Sequence, residues 1–174
     1  LSVEAVISQI ESVAVDLKPD ALKTGMLYSK EIIEAIAEQI DKHQLENLVV
    51  DPVMIAKGGA QLLQDDAIDT LCEKLLPKAT VITPNLLEAA RLAGMESIEN
   101  ITEMKQAARK IHELGVKNVL IKGGHLSSDQ KAIDLLYDGS TFYSVSADRI
   151  ETKHTHGTGC TFSAAITAEL AKGN

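Results

Sequence analysis

The amino-acid sequence predicts an α/β fold built on a largely parallel sheet, on three observations. Strand, loop and helix patterns alternate over 20–43, 47–75 and 79–94, and again over 117–171 with antiparallel pieces inserted; strands joined by helical crossovers read this way. The segment 45–50 is rich in Leu and Val without strict alternation, as expected for a strand covered on both faces. Polar residues and glycines stand immediately beyond the strand candidates, at Asp51, Asn85, Lys122 and the 156–160 loop. Ligands in such sheets bind at the carboxyl ends of the strands.

Ser2 is placed to cap a first helix, with Val3, Val6, Ile7, Ile10 and Val13 at helical spacing behind it. Residues 20–24 form a short strand candidate ending at Gly25-Met26. Ser29 opens a second helix through Lys42, with Ile32, Ile33, Ile36, Ala37 and Ile40 as its apolar stripe. After the strand at 45–50 comes a loop-like stretch over 54–64. There Lys57 and Gly58-Gly59 suit a flap over a site, and a helix is predicted from Asp65 to Leu75. A strand at 79–83 leads into a helix at 85–93 closed by Gly94, and an amphipathic helix at 102–114 closes at Gly115. The strand at 116–122 ends on Gly123-Gly124. Residues 132–137 and 141–145 flank Asp138-Gly139, a hairpin signal. Residues 148–153 suit one further edge strand, and the segment following Cys160 is a helix rich in small residues with little to break it.

Composition narrows the function classes. The 174 residues suit one domain, 1–174, with a substantial core. A formal net charge of −8 argues against a nucleic-acid or anionic-membrane surface, and no apolar run is long enough to cross a membrane. Aromatics are 3% with no Trp, so base-stacking platforms are not expected. Cys72 and Cys160 show no pairing signature, which makes a reducing cytoplasm the default. The chain opens at Leu1, on a helix rather than a strand.

The loop His154-Thr155-His156-Gly157-Thr158-Gly159-Cys160 carries the densest chemistry. Glycines let backbone N–H groups converge and another group approach closely. A helix N-terminus adds unpaired N–H groups and a partial positive charge, so Gly157 to Cys160 reads as an anion hole for a phosphate. The plain alternative is a tight loop with a core cysteine. Asp51, at a strand end before Pro52, suits a carboxylate for a hydrated divalent cation or a loop cap. Asn85 and Glu88 share one helical face. They suit either a capping box or magnesium held beside a phosphate. Lys122 reads as a phosphate-reaching point charge or an exposed strand-end lysine. His154, His156 and Cys160 match no common zinc spacing, and His125 reads as a rim residue.

Together Lys23-Thr24-Gly25-Met26-Leu27, Asp51-Pro52-Val53-Met54, Thr83-Pro84-Asn85-Leu86-Leu87-Glu88-Ala89, Ile121-Lys122-Gly123-Gly124-His125 and His156-Gly157-Thr158-Gly159-Cys160 resemble the ribokinase-like superfamily. Within it, they resemble the hydroxymethylpyrimidine/phosphomethylpyrimidine kinases of thiamine biosynthesis. The resemblance spans essentially the whole chain and implies a three-layer α/β/α domain. It implies ATP- and Mg²⁺-dependent phosphorylation of a hydroxymethyl group on a pyrimidine, then of its monophosphate, in a cytoplasmic homodimer. It assigns Gly157, Thr158, Gly159 and Cys160 to the anion hole, with Cys160 as general base. Lys122, Gly123 and Gly124 go to the nucleotide phosphates. Asn85 and Glu88 serve magnesium and phosphate, Asp51 the metal side, and Thr24, Gly25, Met26 and Val53 the substrate ring. Pyridoxal kinases of the same group are the nearest alternative. Ala56, where those carry a flap cysteine, and the presence of Lys122 favour the pyrimidine.

The family's opening strand and glycine-rich turn have no match here, so the chain reads as a ribokinase-like domain truncated at the N-terminus. A non-catalytic nucleotide-binding module is the reading from another class. A Rossmann oxidoreductase is disfavoured by the lack of G-x-G-x-x-G after a strand.

Overall fold

The computed structural model describes residues 1–55, 62–124, 131–150, 152 and 156–174. The flap expected around Lys57, Gly58 and Gly59, together with Ala56, His125 and His154, lies outside them. Among the described residues six strands form one sheet in sequential order: β1 (Leu22–Thr24), β2 (Leu48–Val50), β3 (Ala79–Ile82), β4 (Asn118–Ile121), β5 (Lys131–Tyr137) and β6 (Phe142–Asp148). The first four are mutually parallel, and β5 and β6 form an antiparallel hairpin at the edge.

The helices are α1 (Val3–Asp16), α2 (Lys30–His43), α3 (Asp65–Thr70), α4 (Leu86–Leu92), α5 (Ile101–His112) and α6 (Thr158–Ala171). Sequential parallel strands with right-handed crossovers put every crossover helix on the same face of a sheet. Residues of α2, α3, α4 and α5 accordingly share one core with Leu48 and Val50 of β2. Side chains alternate along a strand, so Val49 and Asp51 point to the other face, where Ser163 of α6 meets the Asp51 carboxylate. The result is the expected three-layer α/β/α arrangement, with α6 alone on its side among the described residues.

Several boundaries differ from the sequence expectation, each for a local reason. The strand predicted at 45–50 begins at Leu48. Gln44 takes a left-handed conformation (φ 51°), and the Leu45 amide turns back to the Ile40 carbonyl, so these residues close α2. The helix predicted at 65–75 is α-helical only to Thr70. A π turn over Leu71–Leu75 and a short 3₁₀ turn over Leu76–Lys78 follow. The wider turn lets the adjacent Leu75 and Leu76 both become fully buried. Helix α5 starts at Ile101 because Asn100 caps it, its side chain accepting from the Glu103 amide. No strand covers Arg149, Ile150 or Thr152, so the edge strand expected at 148–153 is not found among the described residues. Thr158, Gly159 and Cys160 are the first turn of α6, and the loop ends at Gly157.

The hairpin turn forms at Asp138-Gly139 as expected, with Gly139 at φ 93°. The Asp138 carboxylate accepts from the Thr141 and Ser140 amides and the Ser140 hydroxyl, which together hold its pKa down to about 2. No described helix is long and apolar enough to cross a membrane.

Candidate active site

The carboxyl ends of β1 to β4 bring the sequence motifs onto one rim. The Asp51 amide donates to the Thr24 carbonyl, the Thr83 amide to Val50, and the Lys122 amide to Pro84. Thr24, Asp51, Thr83 and Lys122 thus follow one another along adjacent strand ends, and Asn85 pairs with Lys122 as a parallel bridge.

A buried polar cluster lies at the centre. Asp51 is only 2% exposed. Its Oδ1 accepts from Lys122 Nζ at 3.0 Å and from the Thr83 hydroxyl at 3.4 Å, and its Oδ2 accepts from the Ser163 hydroxyl at 3.4 Å. The Ser163 hydroxyl also reaches the Cys160 carbonyl at 3.1 Å. The Lys122 side chain is 18% exposed, so the exposed strand-end alternative does not hold. A Cβ built on Gly159 would sit 3.2 Å from Lys122 Nζ, which puts the ammonium directly against the first turn of α6. One lysine therefore links β4, the end of β2 and the start of α6. Breaking such a pair by removing one partner leaves a buried charge and typically costs about 3–5 kcal/mol.

The start of α6 differs from that of α4. Gly157, at φ 80°, is the N-cap of α6 and makes no side-chain capping bond, and Cys160 beyond it is exposed. Asn85 caps α4 through a full capping box: its side chain accepts from the Glu88 amide at 2.9 Å, and Glu88 Oε2 accepts from the Asn85 amide at 2.8 Å. Glu88 is buried, and burial is the main cause that raises its pKa. Asp51 adds to the rise, while the Asn85 amide, Lys122 and the Met54 amide oppose it. Glu88 and Asp51 thus lie close enough to feel each other's charge. Cys72, the other thiol, is pushed up to about 11 by burial and by Asp69 and Glu73.

The residues assigned to the substrate ring are partly brought together. Thr24 is buried with its hydroxyl lacking a hydrogen-bond partner, and it lines, with Gly25, a largely apolar cavity of about 400 Å³ between α1, β1 and α2. Met26 is exposed, Val53 is half-buried beside Asp51, and neither lines that cavity. Among the described residues no group of three or more His, Cys, Asp or Glu is arranged to hold a metal ion. The donors present on the rim are instead the two carboxylates and Asn85. An all-oxygen set of this kind suits magnesium, which keeps several waters and takes few protein ligands.

Three participants escaped the sequence reading. Thr83 and Ser163 were legible only as small polar residues, although Ser163 falls one helical turn after Cys160. Asp134 sits inside a hairpin strand, and its Oδ1 accepts from the Gly123 amide at 2.9 Å.

A sequence profile described as phosphomethylpyrimidine kinase matches residues 1–174. The chain belongs to that family. It is 51% identical over 174 residues to the hydroxymethylpyrimidine/phosphomethylpyrimidine kinase of Bacillus subtilis, covering 100% of this chain and 64% of the relative. It is 46% identical over 173 residues to the pyridoxine kinase of the same organism, covering 99% and 64%. Among solved structures, an ADP complex of Bacillus subtilis pyridoxal kinase superposes with a TM-score of 0.93 at 46% identity, covering 100% of this chain and 65% of that one. The chain thus spans somewhat less than two thirds of the length of these two curated relatives. The resemblance read from five motifs and the ribokinase-like fold are both borne out.

Proposed function

We propose that the protein carrying this chain transfers the γ-phosphoryl group of ATP to the hydroxymethyl group of 4-amino-5-hydroxymethyl-2-methylpyrimidine, and then to the resulting monophosphate, in thiamine biosynthesis. The observation that carries this reading is Lys122 held between the Asp51 carboxylate and Gly159 at the start of α6, in a chain 51% identical to a kinase of that name. Phosphoryl transfer depends on positioning and charge neutralisation more than on covalent chemistry, and a buried, pre-oriented ammonium beside a helix N-terminus supplies both.

In this reading Gly157, Thr158 and Gly159 receive the transferring phosphoryl group, and Lys122 neutralises its developing charge. Gly123 and Gly124 border the nucleotide phosphates. Cys160, exposed at the mouth of the helix, takes the proton from the attacking hydroxyl. Thr24, Gly25, Met26 and Val53 are the residues we assign to the pyrimidine. Asp51, Glu88 and Asn85 hold magnesium through its water shell, since both Asp51 oxygens and Glu88 Oε2 already accept hydrogen bonds within the protein. Bound there, the cation would neutralise phosphate charge.

The protein is proposed to act in the cytoplasm, in keeping with two unpaired thiols, and as a homodimer. Pyridoxal is the second substrate considered, because a pyridoxine kinase is only slightly less similar.

The test is coupled ADP release with Mg·ATP and either hydroxymethylpyrimidine or pyridoxal, in the full-length protein carrying this sequence and in its Cys160→Ala variant. Pyrimidine-dependent turnover that falls at least about 100-fold in the variant supports both the activity and the base. Turnover with pyridoxal alone moves the assignment to that vitamin. Nucleotide binding with no turnover on either substrate makes the protein a non-catalytic binding module.

A further inference from the structure

The antiparallel ladder between β4 and β5 pairs Val119 with Tyr137, Leu120 with Leu136 and Ile121 with Leu135, and then stops. Continued, it would set Lys122 opposite Asp134 and Gly123 opposite Ile133. The Lys122 amide carries the parallel pairing on to the Pro84 carbonyl at 2.8 Å on the β3 side, while on the β5 side the Gly123 amide is taken at 2.9 Å by a side chain, the Asp134 carboxylate.

Gly123 is pressed against β5 so closely that an added Cβ would lie 1.9 Å from the Ile133 carbonyl oxygen and 3.2 Å from Met104 Cε. Gly124, the next residue, has nothing within 4 Å of such an atom. The peptide that follows Lys122 is therefore fixed by one hydrogen bond and by close packing, and one residue later the Gly124 carbonyl accepts from the Arg149 guanidinium at 2.8 Å. Lys122 is pinned on both flanks, by Pro84 before it and by Asp134 after it. Its side chain can then reach Asp51 and Gly159 from a set backbone origin. A half-buried carboxylate is costly unless it accepts hydrogen bonds. Here burial raises the Asp134 pKa, and the Gly123 amide followed by the Lys122 charge opposes that rise.

We propose that Asp134 is a positioning residue for nucleotide binding: by holding the Gly123 amide it fixes the turn that presents the Lys122 ammonium to the phosphates. This rests on the kinase reading above. A misplacement of about 1 Å at a phosphate clamp is enough to weaken it severely. The hydrogen bond needs an acceptor oxygen at the position of Oδ1, and an amide side chain supplies one as well as a carboxylate does.

The prediction ranks three variants of the full-length protein. Asp134→Ala is expected to raise KM for ATP by about tenfold or more while leaving KM for the pyrimidine within twofold, and to speed amide hydrogen exchange at Gly123. Asp134→Asn keeps the acceptor and is expected to stay within about threefold of the parent on both readouts. Asp134→Glu keeps the charge but displaces the acceptor, and is expected to fall between the two. If the Ala variant does not fold, the order Asn before Glu carries the test. Ala indistinguishable from the parent in KM for ATP, or Asn as impaired as Ala, overturns the positioning role while the kinase stands. An unsubstituted protein that neither binds ATP in calorimetry nor turns over overturns the kinase reading, and this inference with it.

Discussion

Two helix N-termini meet at the candidate site, and the chain treats them in opposite ways. At α4 the protein supplies its own anion: Asn85 and Glu88 satisfy each other's amides in a closed capping box. At α6 the cap is Gly157, with no side-chain bond, and a lysine rather than a carboxylate lies against the first turn. A helix N-terminus attracts negative charge wherever it occurs. The difference shows that attraction alone does not mark a ligand site. The α4 terminus is already served from within, and a reading that treats N-x-x-E only as a metal motif overlooks its structural work. The α6 terminus has the Lys122 ammonium, itself paired with Asp51, against its first turn and no carboxylate within that turn, which suits a guest phosphate.

Substitutions can sharpen that contrast. The largest effect is expected at the open end. Gly157→Val forces a β-branched residue into φ 80° with no steric neighbour among the described residues, at a cost of about 1–2 kcal/mol. Because the strain falls on the receptor itself, phosphoryl transfer should drop at least about tenfold in the ADP-release assay, while the melting temperature falls by only a few degrees. Asn85→Ala opens the closed end and should cost about 1 kcal/mol of stability, read as a melting temperature lower by roughly 2–4 °C. If turnover instead collapses with the temperature unchanged, Asn85 serves the ligand more than the helix.

The smallest effect is a pH dependence. Burial raises the Glu88 pKa above its ordinary 4.5, so the folded chain holds that proton more tightly than the unfolded one. The stability that protonated Glu88 contributes is fully present below about 4.5 and is lost as pH rises through the folded value. Glu88→Gln removes this loss. The urea midpoint of the variant relative to the parent should therefore move upward between about pH 4 and pH 7. A difference that is flat or moves downward means that the carboxylate is better solvated than its surroundings indicate.

Much of this arrangement was legible in the residues, and what was missed follows a pattern. Helix periodicity at Ile33, Ile36 and Ile40, and the order of the five motifs, reported burial and chain direction, which are properties of consecutive residues. The strand ends were placed too generously because Leu45 is as apolar as Leu48. Only the left-handed Gln44 decides that Leu45 closes a helix, and glutamine carries no strong signal for that conformation. Leu71 to Lys78 reads as ordinary helix because a π turn alters which neighbours are buried without altering composition. Thr83, Ser163 and Asp134 escaped for a different reason. Each matters through a partner more than ten residues away or on another element, and a small polar residue looks the same whether it meets water or Asp51. The capping box was visible as an alternative, and the structure shows that arrangement in place.

The separations within the polar cluster also bear on how the molecule comes into being. Asp51 waits for Lys122, 71 residues later, and for Ser163, 112 residues later. At ribosomal rates of roughly 5–20 residues per second, that carboxylate spends on the order of 6–20 s on the nascent chain before Ser163 is synthesised. Strands β1 to β3 can pair in that interval, but the centre of the site cannot close. The polar cluster is therefore completed only when α6 joins it, and a nascent chain that stalls before α6 holds Asp51 and Lys122 without the Ser163 hydroxyl.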